Sequence, residues 1–223
     1  MDATNYVMME IGQPLHVFDA ERLHGKTIEV RRGKDGEKLS GLDGGTHLLN
    51  AEDLIIADEE GPIALAGVVG GEPSSVQKGT RKILLESGSF QAGRVRKTAR
   101  RLSLTTDSAR CFGRGGLDPS LAERGRDRFV QLLAECGAIE KQEGSVVVGT
   151  APAVPMQPIP LRMERLQKIL GLEMDPKFLA TKLTALGFRQ EKNGWFPPSW
   201  RADVREEIDL IEELIRVEDL EKV

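Results

Sequence analysis

The segment "GTAPAVPMQPIPL", Gly149 to Leu161, constrains this chain more than any other stretch, because it holds four prolines. Each proline fixes φ at about −65°, removes an amide donor and pushes the preceding residue toward extended backbone. No helix or central strand runs through such a stretch, so it reads as an extended linker that divides the 223 residues into domains at 1–150 and 151–223. The chain carries 31 basic and 35 acidic residues, a net charge of −4. Any nucleic acid would therefore be held by a local patch and not by the molecule as a whole. Cys111 and Cys136 lack metal-ligand spacing and read as small hydrophobes in a reducing compartment. His16, His24 and His47 stand outside any cysteine or carboxylate pattern, so no metal site is expected. No apolar run has the length of a membrane span, and residues 1–25 lack a signal-peptide pattern, so no membrane contact and a cytoplasmic location are expected.

In 1–150, "KTIEVRRG", "HLLNAEDLIIAD", "PIALAGVVGG" and "KILLESGSF" are short β-branched runs separated by Gly, Asp and Pro, the signature of strands and turns. Apolar residues fall at helical spacing from Gln91 to Leu102 and from Asp118 to Cys136, with Gly137 as a stop. Strands grouped ahead of helices predict an α+β fold and not a wound parallel sheet. In 151–223, "LRMERLQKILG" and "DPKFLATKLTALGF" predict two short helices, the second capped by Asp175, opened by Pro176 and stopped by Gly187. "RQEKNGWFPPSW" predicts a hairpin about an Asn-Gly turn, and "DVREEIDLIEELIRVEDL" an amphipathic helix with Ile208, Ile211, Leu214 and Ile215 on one face. Helices with a small β-wing are winged-helix-like.

Chemistry concentrates in four places. In "MEIGQPLHVFD", Gly12 and Pro14 end a helical run, and the turn is expected to present His16 from a loop, as a site residue or as a half-buried imidazole bonded to a carbonyl. "ALAGVVGGEPSSV" lacks the Gly-Lys-Ser/Thr ending of a phosphate loop; Ala66, Gly67, Gly70 and Gly71 instead leave room for a backbone or ligand to come close. Glu86, at the end of the apolar run "ILLESGSF", needs a partner or a ligand hydroxyl, or else caps a turn. Thr105, Thr106, Asp107 and Ser108 suit hydrogen bonding in a tight loop, but no catalytic triad or nucleophile elbow is legible. The basic run "RVRKTARR" puts Arg94, Lys97 and Arg101 on one helix face, for phosphate or simply for solvent.

Taken in order, "TNYVMMEIGQPLHVFDAERL", "ALAGVVGGE", "ILLESGSF" and "TTDSARCFGRGGLDP" resemble the B3/B4 editing module of the bacterial phenylalanyl-tRNA synthetase beta subunit. "PPSWRADVREEIDLIEELIRVEDLEKV" resembles the end of the B5 domain that follows it. The resemblance implies a β-rich B3/B4-like domain with flanking helices and a small winged-helix-like B5 domain. It also implies a pocket that takes the 3′ end of tRNA(Phe) mischarged with tyrosine and hydrolyses the ester. Thr4, Asn5, Pro14 and His16 match one wall, Ala66 and Gly67 the floor, Glu86 the carboxylate that reads the tyrosine phenol, and Thr106 and Ser108 the closing loop. His16 and Thr106 are the catalytic candidates, with water positioned near the ester and the terminal ribose hydroxyl recruited in place of a side-chain base. Arg94, Lys97 and Arg101 are the candidate tRNA contacts. Two departures from the family pattern stand out: Ser108 in place of alanine, and Gly113 in place of glutamate with an additional glycine before "LDP". No cofactor is implied for this stretch; ATP and Mg2+ belong to the full enzyme, an α2β2 assembly with an alpha subunit. The resemblance makes the chain an excised part of a ligase that is at most an aminoacyl-tRNA ester hydrolase itself. The alternative is a non-catalytic tRNA-binding or subunit-scaffolding fragment, and the acidic final helix favours scaffolding for B5.

Overall fold

The computed structural model describes residues 2–25, 27–149, 157–171, 173–201 and 203–217. Helix α1 (Asp2–Ile11) stops where Gly12 takes φ +80°, a conformation open to glycine. Strands β1 (His16–Asp19), β2 (Glu29–Arg32), β3 (Lys38–Ser40), β4 (Thr46–Leu48), β5 (Leu54–Ala57), β6 (Pro62–Leu65), β7 (Val69–Gly70) and β8 (Ile83–Glu86) follow. Then come α2 (Ala92–Arg101), α3 (Asp107–Gly113) and α4 (Ser120–Glu135), so apart from α1 the strands precede the helices of this unit and the class is α+β. The run "HLLNAEDLIIAD" is two strands and not one. The Asp53 carboxylate accepts from the Asn50 amide, and the Asn50 side chain accepts from the Glu52 amide, which closes a turn between β4 and β5.

Four antiparallel strands pair in the order β2-β5-β6-β7, β3 pairs with β4, and β1 pairs with β8. The central position of β5 explains its unbroken apolar run, because Ile55, Ile56 and Ala57 are all buried. Helices α2 and α3 cover this core with Val95, Ala99, Ala109 and Phe112, against Leu39, Leu49, Ile55 and Leu65. Burying Phe112 alone contributes about 2–3 kcal/mol. The β1–β8 ribbon has two different faces, as strand alternation requires. Val17 and Leu85 pack on Val7 of α1 and Phe129 of α4, whereas Phe18 packs on Ile56, Ile63, Ala64 and Ala66.

The chain divides into two compact units, Met1–Ala151 and Pro152–Val223. The proline linker falls largely on residues 150–156, outside the described residues. Its last part is not free linker: Ile159 is buried, and its amide and carbonyl both pair with Trp195 at 2.8 Å. An isoleucine between two prolines still owns both backbone groups, and the hairpin edge satisfies them. The second unit has α5 (Met163–Leu170), α6 (Pro176–Ala185), β9 (Arg189–Glu191), β10 (Gly194–Phe196) and α7 (Glu207–Val217). Asp175 caps α6 by accepting from the Lys177 amide. The hairpin turn is Lys192–Asn193, with Gly194 opening the return strand at φ +141° beside the Ile159 carbonyl. Residues 218–220 of the expected last helix lie outside the described residues. Its buried stripe is Glu207, Leu210, Ile211 and Leu214, while Ile208 is exposed. Glu207 takes an apolar position because Arg162 and Arg165 neutralise it, and the Arg162 hydrogen bonds pull its pKa down to about 2.

Candidate functional site

The β1–β8 register sets His16 directly opposite Glu86. His16 was expected on a loop, but it opens a strand: Pro14 is compatible with extended backbone, and β8 supplies the pairing partner. Directly opposed residues share a face with Cβ atoms about 5 Å apart, so imidazole and carboxyl belong to one site. The His16 ring stands edge-on to Phe18, with centroids 4.6 Å apart, and a Cβ on Gly70 would collide with its Cε1. Its Nε2 is buried without a hydrogen-bond partner among the described residues. Burial lowers the His16 pKa to about 4, and burial of the Glu86 carboxyl raises its pKa to about 7. Near neutral pH the histidine is therefore uncharged and Glu86 is divided between acid and carboxylate, able to donate or accept a hydrogen bond.

The small residues expected as a floor, Ala66 and Gly67, pack near Phe18 and Phe90. Ala66 is buried, and Gly67 takes φ +70°, where a Cβ would stand 2.9 Å from Phe112 and 3.1 Å from Phe90. Thr106 caps α3: its hydroxyl accepts from the Ala109 amide at 3.1 Å and donates to the Val68 carbonyl at 2.7 Å. Ser108 donates to the Gly67 carbonyl at 3.0 Å, so the hydroxyl that departs from the family's alanine adds a second tie between α3 and the floor. Both side chains hold α3 against the Gly67–Val68 turn, and the Thr106 donor is already engaged there. The additional glycine is accommodated by left-handed backbone, with φ +114° at Gly115 and +97° at Gly116, and the Gly113 carbonyl accepts from Arg96.

The expected wall comes together only in part. Pro14 is buried just before His16. Buried Thr4 and exposed Asn5 sit on α1, which packs on the Val17 and Leu85 face of the ribbon, opposite the face of His16 and Glu86. One neighbour went unread in the sequence: Leu42, in the β3–β4 loop, donates its amide to the Gly70 carbonyl at 2.9 Å and reaches Gly70 with its side chain, beside His16. The glycine cluster "GLDGG" around it was the available signal. The α2 cations also separate. Arg101 pairs with buried Asp53 and donates to the Leu48 carbonyl at 3.0 Å. Arg94 donates to Gln91 at 3.0 Å and stands 3.9 Å from the Glu52 carboxylate, and exposed Lys97 has no hydrogen bond or ion pair among the described residues. Cys111 is half-buried and Cys136 exposed, so the latter is not a core residue. Among the described residues no group of three potential ligands could hold a metal ion, and no helix is long and apolar enough to cross a membrane.

Residues 1–138 match the B3/4 domain, residues 159–219 match the tRNA synthetase B5 domain, and the chain belongs to the B3/4 domain family. Among its curated relatives are phenylalanine-tRNA ligase beta subunits of Nitrosococcus oceani, 43% identical over 222 residues, and of Methylococcus capsulatus, 42% identical over 221. The Yersinia pestis beta subunit is 41% identical over 224 residues. Each alignment covers 97% of this chain but 28% of the relative, so the chain spans little more than a quarter of their length. An N-terminal fragment of the Pyrococcus horikoshii phenylalanyl-tRNA synthetase beta subunit aligns at a TM-score of 0.40 and 12% identity, covering 95% of this chain and 63% of that one.

Proposed function

We propose that the first unit hydrolyses the ester of tyrosine mischarged onto tRNA(Phe), as the editing part of a phenylalanine-tRNA ligase beta subunit. The observation that carries this reading is the facing pair His16 and Glu86, neither held by an internal hydrogen bond or ion pair among the described residues. Glu86 is half-buried, and a partly desolvated carboxyl without a protein partner gains from a ligand hydroxyl, which a tyrosine phenol supplies and phenylalanine does not. An imidazole with pKa about 4 is too weak a base to strip a proton from water, so His16 orients water or the ribose end by hydrogen bonding. The terminal ribose hydroxyl then assists attack on the ester. Thr106 and Ser108 act by holding α3 against the floor.

This step needs no cofactor. ATP, Mg2+, the alpha subunit of the α2β2 enzyme and a cytoplasmic setting belong to aminoacylation by the whole ligase. For the second unit scaffolding is the better reading, because four of its arginines are engaged by its own acids: Arg162 and Arg165 by Glu207, Arg201 by Asp203 and Glu213, Arg216 by Glu213. Of the three candidate cations Lys97 remains available to tRNA phosphate, Arg94 is shared with Gln91 and Glu52, and Arg101 is structural. Lys97→Ala is expected to reduce the slope of log affinity against log salt for tRNA(Phe) by about one, and an unchanged slope removes Lys97 from the tRNA path. The function itself is tested by incubating the chain with tyrosyl-tRNA(Phe). Free tyrosine should appear well above spontaneous hydrolysis, and release no faster than in buffer would defeat the reading.

A further inference from the structure

Gln13 is wholly buried in the turn between α1 and β1. Its amide nitrogen donates to the Pro14 carbonyl at 3.0 Å and to the Gly88 carbonyl at 2.9 Å. An amide nitrogen has two hydrogens, so both are engaged, and the flipped rotamer would turn its oxygen onto two carbonyls. Pro14 lies two residues before His16, and Gly88 two residues after Glu86. The β1–β8 ladder ends at the His16–Glu86 pair, and just beyond it the Gln13 side chain bridges the two backbone segments. Its surroundings leave little play. On α4 a Cβ at Gly125 would stand 2.6 Å from Gln13 Cγ. The Phe90 ring rests on Gly88, where a Cβ would stand 2.7 Å away, and Phe90 also packs on Gly67 of the floor. Meanwhile Gln13 Oε1 is buried without a partner among the described residues, a cost that an apolar side chain would avoid, so packing alone does not account for an amide here.

We propose that Gln13 is a positioning residue: it clamps the backbone leaving Glu86 to the backbone arriving at His16, and so fixes the gap that a phenol must fill and the partial burial of the carboxyl. The proposal rests on the editing reading, but part of its test does not. Gln13→Met keeps length without donors, and Gln13→Glu keeps shape while turning acceptors onto two carbonyls. Both are expected to lower kcat for tyrosyl-tRNA(Phe) about tenfold with KM nearly unchanged, and to narrow the preference over the phenylalanyl ester by a similar factor. In the same variants, with no tRNA present, carboxyl 13C NMR should show the Glu86 pKa falling from about 7 toward its ordinary value, as water reaches it. A loss of global stability alone would move neither the selectivity ratio nor that titration in the folded protein. Gly125→Ala displaces Gln13 from the α4 side with the amide kept, and should shift the same two readouts in the same direction; it decides the matter if the Gln13 variants do not fold. A folded variant with wild-type selectivity and a wild-type Glu86 titration overturns the proposal. If wild-type protein releases no tyrosine, the editing reading fails, and the Glu86 titration still decides whether Gln13 sets the gap.

Discussion

Asp53→Ala is expected to destabilise the first unit by about 3 kcal/mol, the usual consequence of removing one member of a buried charged network. Asp53 is 1% exposed and accepts from Thr98 at 2.8 Å, from the Asn50 amide at 2.9 Å and from Arg101. Truncation strands the buried Thr98 hydroxyl, opens the β4–β5 turn and frees α2 from the strands beneath it. Arg101→Ala should cost less, about 1 kcal/mol, because that side chain is 36% exposed and solvent screens its charge. Lys97→Ala should leave stability unchanged within about 0.5 kcal/mol. Both tryptophans, Trp195 and Trp200, belong to the second unit, so unfolding of the first is followed by far-ultraviolet circular dichroism or calorimetry. An Asp53→Ala protein as stable as wild type would return Arg101 to the pool of cations available to phosphate.

The second large effect lies in the pH dependence of stability. The Glu86 pKa is raised from 4.5 to about 7, so its contribution is complete below pH 4.5 and is lost as the pH rises through 7. The His16 pKa is lowered from 6.5 to about 4, so its contribution is complete above pH 6.5 and is lost as the pH falls through 4. Between pH 4.5 and 6.5 the two slopes oppose one another and nearly cancel. Glu86→Gln removes one slope and keeps the shape of the side chain. Relative to wild type, this variant should therefore lose on the order of 2 kcal/mol of stability as the pH falls from 6.5 to 4.5. Denaturant titrations of both proteins at the two pH values measure the difference. Parallel behaviour of variant and wild type would mean that Glu86 is an ordinary solvated carboxylate.

Local signals in the sequence carried the fold a long way. Gly12, Gly137 and Asp175 mark helix ends through their own backbone or side-chain chemistry, and α2 and α4 follow from apolar spacing that needs no distant partner. What escaped was whatever depends on a partner far along the chain. His16 reads as a loop residue because its strand exists only when paired with β8, and within "HLLNAEDLIIAD" the Asx turn is hidden among polar residues that could equally face solvent. Glu207 breaks an apolar stripe, which Arg162 and Arg165, 45 and 42 residues away, explain. The same limit applies to the site. The individual residues His16, Gly67 and Glu86 stand out locally, whereas the engagement of Arg101 by Asp53 and of Thr106 by Val68 is tertiary and has no local signal.

The central claim is that Glu86, facing His16, reads the tyrosine phenol, and the most direct measurement is the ratio of hydrolysis rates for tyrosyl- and phenylalanyl-tRNA(Phe) in wild-type and Glu86→Ala protein. Loss of a hydrogen bond made to one ester and not the other should narrow that ratio by about 1–3 kcal/mol, roughly 5- to 150-fold, chiefly through slower release of tyrosine. Equal slowing of both esters, with the ratio unchanged, would contradict the account and leave Glu86 as a structural carboxyl.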